Sequence, residues 1–326
     1  MPFNNVIDRA DAAALIPQET SAEIIKAVAA TNPLLQLARR LPNMSTGQRI
    51  MPVLNALATA YFVNGDTGLK QTTELNWANV NIAAEELAVI VPIPEAVLDD
   101  ANYDIWGEVR PALQEAFGVA IAQAVLYGIN IPATWTVSLG GAAGIVAGAN
   151  AAGHIISLAG GGYVDLYEAI MGETAAGTDG LLMTLETDGF MPTGHIASTA
   201  MRGRLRNVRD TNGVPIFSRS MQDATRYELD GAPLYFPTDG SINDAISWLV
   251  SGEWNQLVYS FRQDITYKIL TEAVIQDAAG NIVYNLAQQD MVALRAVIRL
   301  GFALPNPINR QNPNPATRFP FAVLTA

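Results

Sequence analysis

The chain has 326 residues, half of them hydrophobic and only 15% charged, with a formal net charge of −12. That much apolar material supports a large core and excludes a disordered chain. Cysteine is absent, which removes disulfides, thiolate metal sites and cysteine nucleophiles. The acidic balance argues against a protein that grips nucleic acid through its phosphates.

The first residues, MPFNNVIDRADAAALIP, lack a basic segment followed by an apolar run and do not read as a signal peptide. Residues 1–48 read as an arm. Thr20 or Ser21, with Glu23, caps a short helix over TSAEIIKAVAA, Asn32-Pro33 stops it, LLQLARRLP follows, and Asn43 to Gly47 form a polar turn. Residues 49–93 read as a long hairpin. RIMPVLNALATAYFV runs up, Asn64-Gly65 with Asp66 and Gly68 reverses the chain, and ELNWANVNIAAEELAVIVPIP runs back. Two strands alone are marginal in water, so this hairpin is expected to rest on another molecule.

Residues 94–127 read as helix in two pieces, PEAVLDDA and then YDIWGEVRPALQEAFGVAIAQAVLYG. In the second, Trp106, Val109, Leu113, Phe117, Ala120 and Ala124 share one face. Pro111 should kink it or mark its first turn, and Gly128 closes it. From Ala116 to Val164 no residue is formally charged, but glycine, Asn150, His154 and Ser157 break the run. Burial in a subunit interface or in loops fits this better than a membrane span.

Further on, VDLYEAIMGE reads as a short helix, GHIASTAM as a strand, RGRLRNVRD as a helix and YELDGAPLYFP as strand, turn and strand. QLVYSF, DITYKILTEAVI and residues 291–302 read as strands, and from Pro305 the chain reads as an extended tail. In residues 291–302 the even positions, Val292 to Phe302, form a plain apolar face. The odd face carries Arg295 and Arg299 among Met291, Ala293, Val297 and Gly301.

Motifs for catalysis are missing. His154 and His195 stand far apart and outside any metal-ligand spacing, and no phosphate-binding glycine loop or GxSxG elbow occurs. GGAAGIVAG lacks the strand and helix context of a dinucleotide site. Glu85-Glu86 point to opposite faces of a strand, and Asp99-Asp100 end a short helix. Arg202, Arg206 and Arg209 share a helix face, as a nucleic-acid contact or as a surface helix paired with carboxylates. No catalytic, cofactor or metal residue is assigned.

Taken in order, LIPQETSAEIIKAVAATNPLLQLARRLPNMSTGQRIMPV, ATAYFVNGDTGLKQT, AVIVPIPEAVLDDANYDIWGEVRPALQEAFGVAIAQAVLYG, SFRQDITYKILTEA and NLAQQDMVALRAVIRLGFALPNP resemble the major capsid proteins of tailed bacteriophages. The resemblance implies an α+β fold of the Hong Kong 97 type, with an N-terminal arm (1–48), an extended β-hairpin loop (49–91) and a peripheral domain with a long spine helix (92–132). An axial domain (133–254) and the peripheral domain's closing strands with a C-terminal tail (255–326) complete it. It implies a non-enzymatic shell subunit, self-assembling as hexamers and pentamers into an icosahedral virion capsid in the host cytoplasm. The shell encloses double-stranded phage DNA without sequence-specific binding and without a membrane.

Expected partners are further copies, a separate scaffolding protein, a portal and a decoration protein. Arg39, Arg40, Lys70, Trp77, Arg202, Arg206, Arg209, Arg295 and Arg299 are the subunit-interface candidates. Arg295 and Arg299 are expected to meet a neighbour's acidic loop or arm. Lys70 stands where some relatives have a cross-linking lysine, with no asparagine identified for it among Asn306, Asn309, Asn312 and Asn314. The competing readings are an encapsulin-type compartment and, in another class, a soluble carboxylate-based enzyme.

Overall fold

The computed structural model describes residues 33–63, 69–70, 72–100, 105–160, 162–172, 179–209, 212–214, 216 and 227–326. The expected arm helix over TSAEIIKAVAA and the reversal at Asn64 to Gly68 lie outside the described residues. A one-turn helix α1 (Pro33–Leu37) and a short strand β1 (Arg39–Arg40) lead into β2 (Gln48–Ala56) and β3 (Asn76–Ala83). Next come β4 (Glu85–Pro94), α2 (Glu95–Asp100) and α3 (Ile105–Tyr127). The middle of the chain holds α4 (Ala133–Ser138), α5 (Ile145–Ala152), β5 (Ile155–Ser157), α6 (Leu166–Met171) and α7 (Leu181–Thr187). It continues with β6 (Gly194–Ala197), α8 (Thr199–Arg206), β7 (Tyr227–Leu229), β8 (Ala232–Tyr235) and β9 (Leu249–Gly252). The last strands are β10 (Val258–Leu270), β11 (Val274–Gln276), β12 (Ile282–Asn285), β13 (Met291–Ala303) and β14 (Phe321–Thr325).

A four-stranded sheet has the order β1-β10-β13-β4. The even face of β13 is buried as its alternation demands, with Leu294, Ala296, Ile298, Leu300 and Phe302 in the main core. Leu113, Phe117, Ile121 and Ala124 of α3 supply the other half of that core, the helix's apolar stripe laid on the sheet. Pro111 lies inside α3 rather than in its first turn. Gly128 ends the helix at φ 71°, and a Cβ there would stand 2.3 Å from the Ala143 carbonyl oxygen, so only glycine fits.

A six-stranded sheet has the order β5-β14-β9-β6-β8-β7. Its central strands β14, β9 and β6 are buried on both faces. Ile196, Val250, Phe321 and Val323 join the main core, whereas Ala197, Leu249, Ala322 and Leu324 pack with Ile170, Leu181, Leu185, Met201 and Leu205 of the helices behind. Strands covered on both sides read as continuous apolar runs.

Three expectations are corrected. The return run expected to end the hairpin near residue 91 divides at Ala84: β3 pairs with β2, but β4 pairs antiparallel with β13 and belongs to the four-stranded sheet. The strand expected over GHIASTAM stops at Ala197, because the Ser198 hydroxyl accepts from the Met201 N–H at 3.2 Å and starts α8. The C-terminal tail is not a tail to its end. Once the prolines stop at Pro320, FAVLT forms β14 between β5 and β9.

Candidate assembly surface

The odd face of β13 turns away from α3. At one end it is closed by the base of the hairpin. A Cβ on Gly301 would lie 2.4 Å from the Ala83 carbonyl oxygen and 2.7 Å from Ile82, so the glycine lets β3 cross the sheet there. Met44, Ile82, Ala84, Val258 and Ala303 make a small core beneath that crossing. The Trp135 indole N–H donates to the Ala83 carbonyl at 3.1 Å and the Ser138 hydroxyl to the Asn81 carbonyl at 2.6 Å. The hairpin base is thereby fixed, and further out the Ile308 N–H donates to the Leu54 carbonyl at 3.2 Å and Arg310 Nη2 to the Ala58 carbonyl at 2.6 Å, but several large apolar side chains stay bare. Ile50 is 63% exposed and Trp77, opposite Leu54 on β3, is 61% exposed, with Tyr61, Phe62, Val63, Leu69 and Leu75 also exposed. Lys70 is exposed beside Leu69.

The rest of the odd face alternates buried apolar residues, Ala293 and Val297, with the two arginines. One row across the strands reads Lys268, Arg295, Ile90, and the second row on from it, past Thr266, Val297 and Ala88, reads Gln263, Arg299, Glu86. Lys268 and Arg295 are both exposed and directly opposite, a like-charge pair that weakens a sheet standing in solvent. The Nε of Arg299 is buried without a hydrogen-bond partner. Arg39 and Arg40 lie exposed on β1 at the sheet's other edge. The Arg40 guanidinium sits 5.2 Å from the Phe261 ring centre and donates to Asn43 Oδ1 at 3.3 Å.

The arginines of α8 largely serve the subunit itself. Arg202 lies 5.0 Å from the Tyr227 ring centre and Arg204 lies 3.7 Å from that of Trp248. Arg204 also grips Asp244 through both terminal nitrogens, at 2.9 and 3.2 Å. That bond, with a second from the Ser198 hydroxyl, holds the Asp244 carboxyl below the usual range. Arg209 donates to the Gly213 carbonyl at 3.1 Å, and Arg206 is exposed. The nine candidates therefore do not converge on one site. Arg295 and Arg299 share a face of the four-stranded sheet, Lys70 and Trp77 belong to the hairpin, and Arg202, Arg206 and Arg209 lie on or just beyond α8.

The groups with catalytic chemistry are occupied structurally. His195 is fully buried between the Ser251 hydroxyl, 2.7 Å from Nδ1, and the Leu229 carbonyl, 3.0 Å from Nε2. Burial lowers its pKa to about 4, so the ring is neutral. Glu85 accepts from the Thr134 hydroxyl at 2.7 Å, and Asp99 is exposed at the end of α2. Among the described residues no group of three or more His, Cys, Asp or Glu could hold a metal ion, and no helix is long and apolar enough to cross a membrane. One cluster was not legible beforehand: His154 pairs with Asp188 at 3.2 Å, across a gap in sequence that no spacing rule covers.

The comparisons agree with this architecture. The model of the phage capsid family matches residues 12–308. The major capsid protein of Staphylococcus phage 80alpha is 25% identical over 288 residues, covering 86% of this chain and 79% of that protein. A solved structure from Microbacterium phage Oxtober96 is 35% identical with a TM-score of 0.75, covering 98% of this chain and 99% of that one. Another, from Mycobacterium phage Cain, is 30% identical with a TM-score of 0.74, covering 97% of each chain. The chain belongs to the phage capsid family, as a major capsid protein of the virion shell with the Hong Kong 97-type α+β fold.

Proposed function

We propose that the subunit assembles as hexamers and pentamers into a closed icosahedral shell around double-stranded DNA, in the host cytoplasm and without catalysis of its own. A separate scaffolding protein, a portal and a decoration protein are its further partners. The four-stranded sheet with α3 acts as the peripheral domain and the six-stranded sheet as the axial domain. The observation that carries this reading is the unsatisfied outer surface: a hairpin with bare apolar residues, beside a sheet face that sets Lys268 against Arg295. A neighbouring copy that lays acidic and apolar chain over that face relieves both costs and buries the area a stable interface needs.

Expression alone and with neighbouring genes, followed by sedimentation and negative-stain microscopy, should yield capsomer rings or closed particles containing DNA. Particles filled with protein cargo instead would point to an encapsulin-type compartment, and a small oligomer under every condition would refute the shell. Arg299→Glu should abolish particles while the isolated subunit still folds, with a lowered melting temperature because the new carboxylate faces Glu86 across the strands. Normal particles from that variant would remove the basic face from the interface.

A further inference from the structure

Charge is sorted to the two ends of the four-stranded sheet. Arg39 and Arg40 are exposed on β1, opposite Val258 and Tyr259 at the start of β10. The turn that follows β1 gathers two more arginines. Arg40 Nη2 donates to Asn43 Oδ1 at 3.3 Å, Arg49 Nη1 to the Pro42 carbonyl at 2.8 Å and Arg262 Nη1 to the Met44 carbonyl at 3.4 Å. None of the four arginines meets a carboxylate among the described residues, and residues 34–63 contain no Asp or Glu. Glu253 before β10 and Asp264 within it are the acids nearest Arg262 in sequence, and both are half-buried.

The opposite end of the sheet is acidic. Glu95 and Asp99 of α2, Glu272 after β10, Asp277 at the β11–β12 turn and Asp290 before β13 are all exposed. The Glu95 N–H donates to the Asp290 carbonyl at 2.9 Å, which ties α2 to the start of β13. Residues 87–109 and 269–294 contain no Lys, Arg or His, and Lys268 and Arg295 lie two residues inside this end on the odd face. Val97, Val274 and Ile282 are exposed among the carboxylates. β10 and β13 are each 13 residues long, which sets the two ends about 40 Å apart. That is several screening lengths at physiological salt, so the ends do not neutralise each other within one subunit.

We infer that the acidic end of one subunit docks on the arginine corner of a second copy. This contact rests on the self-assembly proposed above and is separate from the cover over Arg295 and Arg299. Every copy supplies one end of each sign, so a shell built of one chain matches acid to base in equal number. At the contact the guanidinium groups, bonded in the lone subunit only to uncharged oxygens, gain carboxylate acceptors. Val97, Val274 and Ile282 leave solvent, and the two-stranded β11–β12 ribbon, marginal in water by itself, gains a support. DNA phosphate is the other anion with the right chemistry for the corner, but it leaves the acidic end and its apolar residues uncovered.

Charge reversal tests the contact, read as particle yield by sedimentation and negative-stain microscopy. Arg39→Glu with Arg40→Glu should lower the yield at least about tenfold, and so should Asp99→Lys with Glu272→Lys, because like charges then face each other. All four substitutions in one chain should restore the yield to within about threefold of wild type. Asp277 is left unchanged because its carboxylate holds the β11–β12 turn, accepting from the Asn281 N–H at 2.8 Å. Where a reversed pair does not fold, Arg39→Gln with Arg40→Gln and Asp99→Asn with Glu272→Gln take its place, and each neutralised pair should still lower the yield. Full yield from either pair, or a quadruple variant no better than the pairs, would overturn the docking while wild-type particles uphold the shell. Normal yield of DNA-depleted particles from the arginine pair would give the corner to nucleic acid and overturn the docking as well. A wild-type chain that forms no particles would overturn the assembly itself, and this contact with it.

Discussion

The hairpin β2–β3 pairs neighbouring segments and the six-stranded sheet gathers distant ones, and they meet the same requirement in opposite ways. The sheet hides both faces within its own chain, with Phe321, Val323, Ala322 and Leu324 all fully buried. The hairpin is anchored at its base and by Ile308 and Arg310 along its first strand, yet presents Ile50, Phe62, Leu69 and Trp77 to solvent. One region therefore carries the stability of the subunit, and the other has no folding role large enough to explain its composition. Substitutions should separate the two: what ruins the isolated subunit lies in the sheet, and what spares the subunit but blocks assembly lies in the hairpin.

The largest loss is expected from Phe321→Ala. Its ring packs edge-on to Trp254 at 5.0 Å and to Phe319 at 6.0 Å, in a site with no solvent to fill the gap. Denaturant titration of the isolated subunit should show a loss of ~3–5 kcal/mol. A change below ~1 kcal/mol would mean that the six-stranded sheet is not the stabilising region.

Acid comes next. His195 is neutral in the fold, lowered by burial to about 4 against an ordinary value of about 6.5. The unfolded chain therefore takes up this proton first. The stability held by the neutral ring is complete above about pH 6.5 and is lost as pH falls toward about 4, a total of ~3 kcal/mol. Unfolding free energies measured between those limits should fall by about that amount, and a folded His195→Gln subunit should lack that part of the slope. An unchanged slope in the variant would assign the acid sensitivity to other groups.

The smallest effect on the subunit belongs to the hairpin. Phe62→Ser or Trp77→Ala should change the isolated subunit's stability by less than ~0.5 kcal/mol, since neither ring is buried within it. The same variants should reduce particle yield severely by sedimentation. Full yield from both would leave the apolar hairpin without a partner and break the comparison.

The strap between β13 and β14 also bears on Lys70. The side-chain amides of Asn306, Asn309 and Asn312 donate to Arg318, Asp188 and each other's surroundings within the subunit. They are committed to holding the chain's own end, which argues against them as partners for a lysine from elsewhere.

Local pattern by itself determined most of the elements. The alternation of residues 291–302, the three- and four-residue steps from Leu113 to Ala124 and the punctuation at Gly128 are short-range signals, because side-chain direction repeats with the backbone that carries it. The ordered set of those elements was also enough to bring the family into view. Tertiary structure alone decided where strands found their partners. Nothing local says that the return run after Ala84 leaves β2 for β13, or that FAVLT crosses a proline-rich strap to become an interior strand. Those outcomes depend on which apolar face is left open by distant segments. The pairing of His154 with Asp188 and the close approach of Ala83 to Gly301 are of the same kind. Each is a contact between residues whose separation in the chain carries no information about their distance in space.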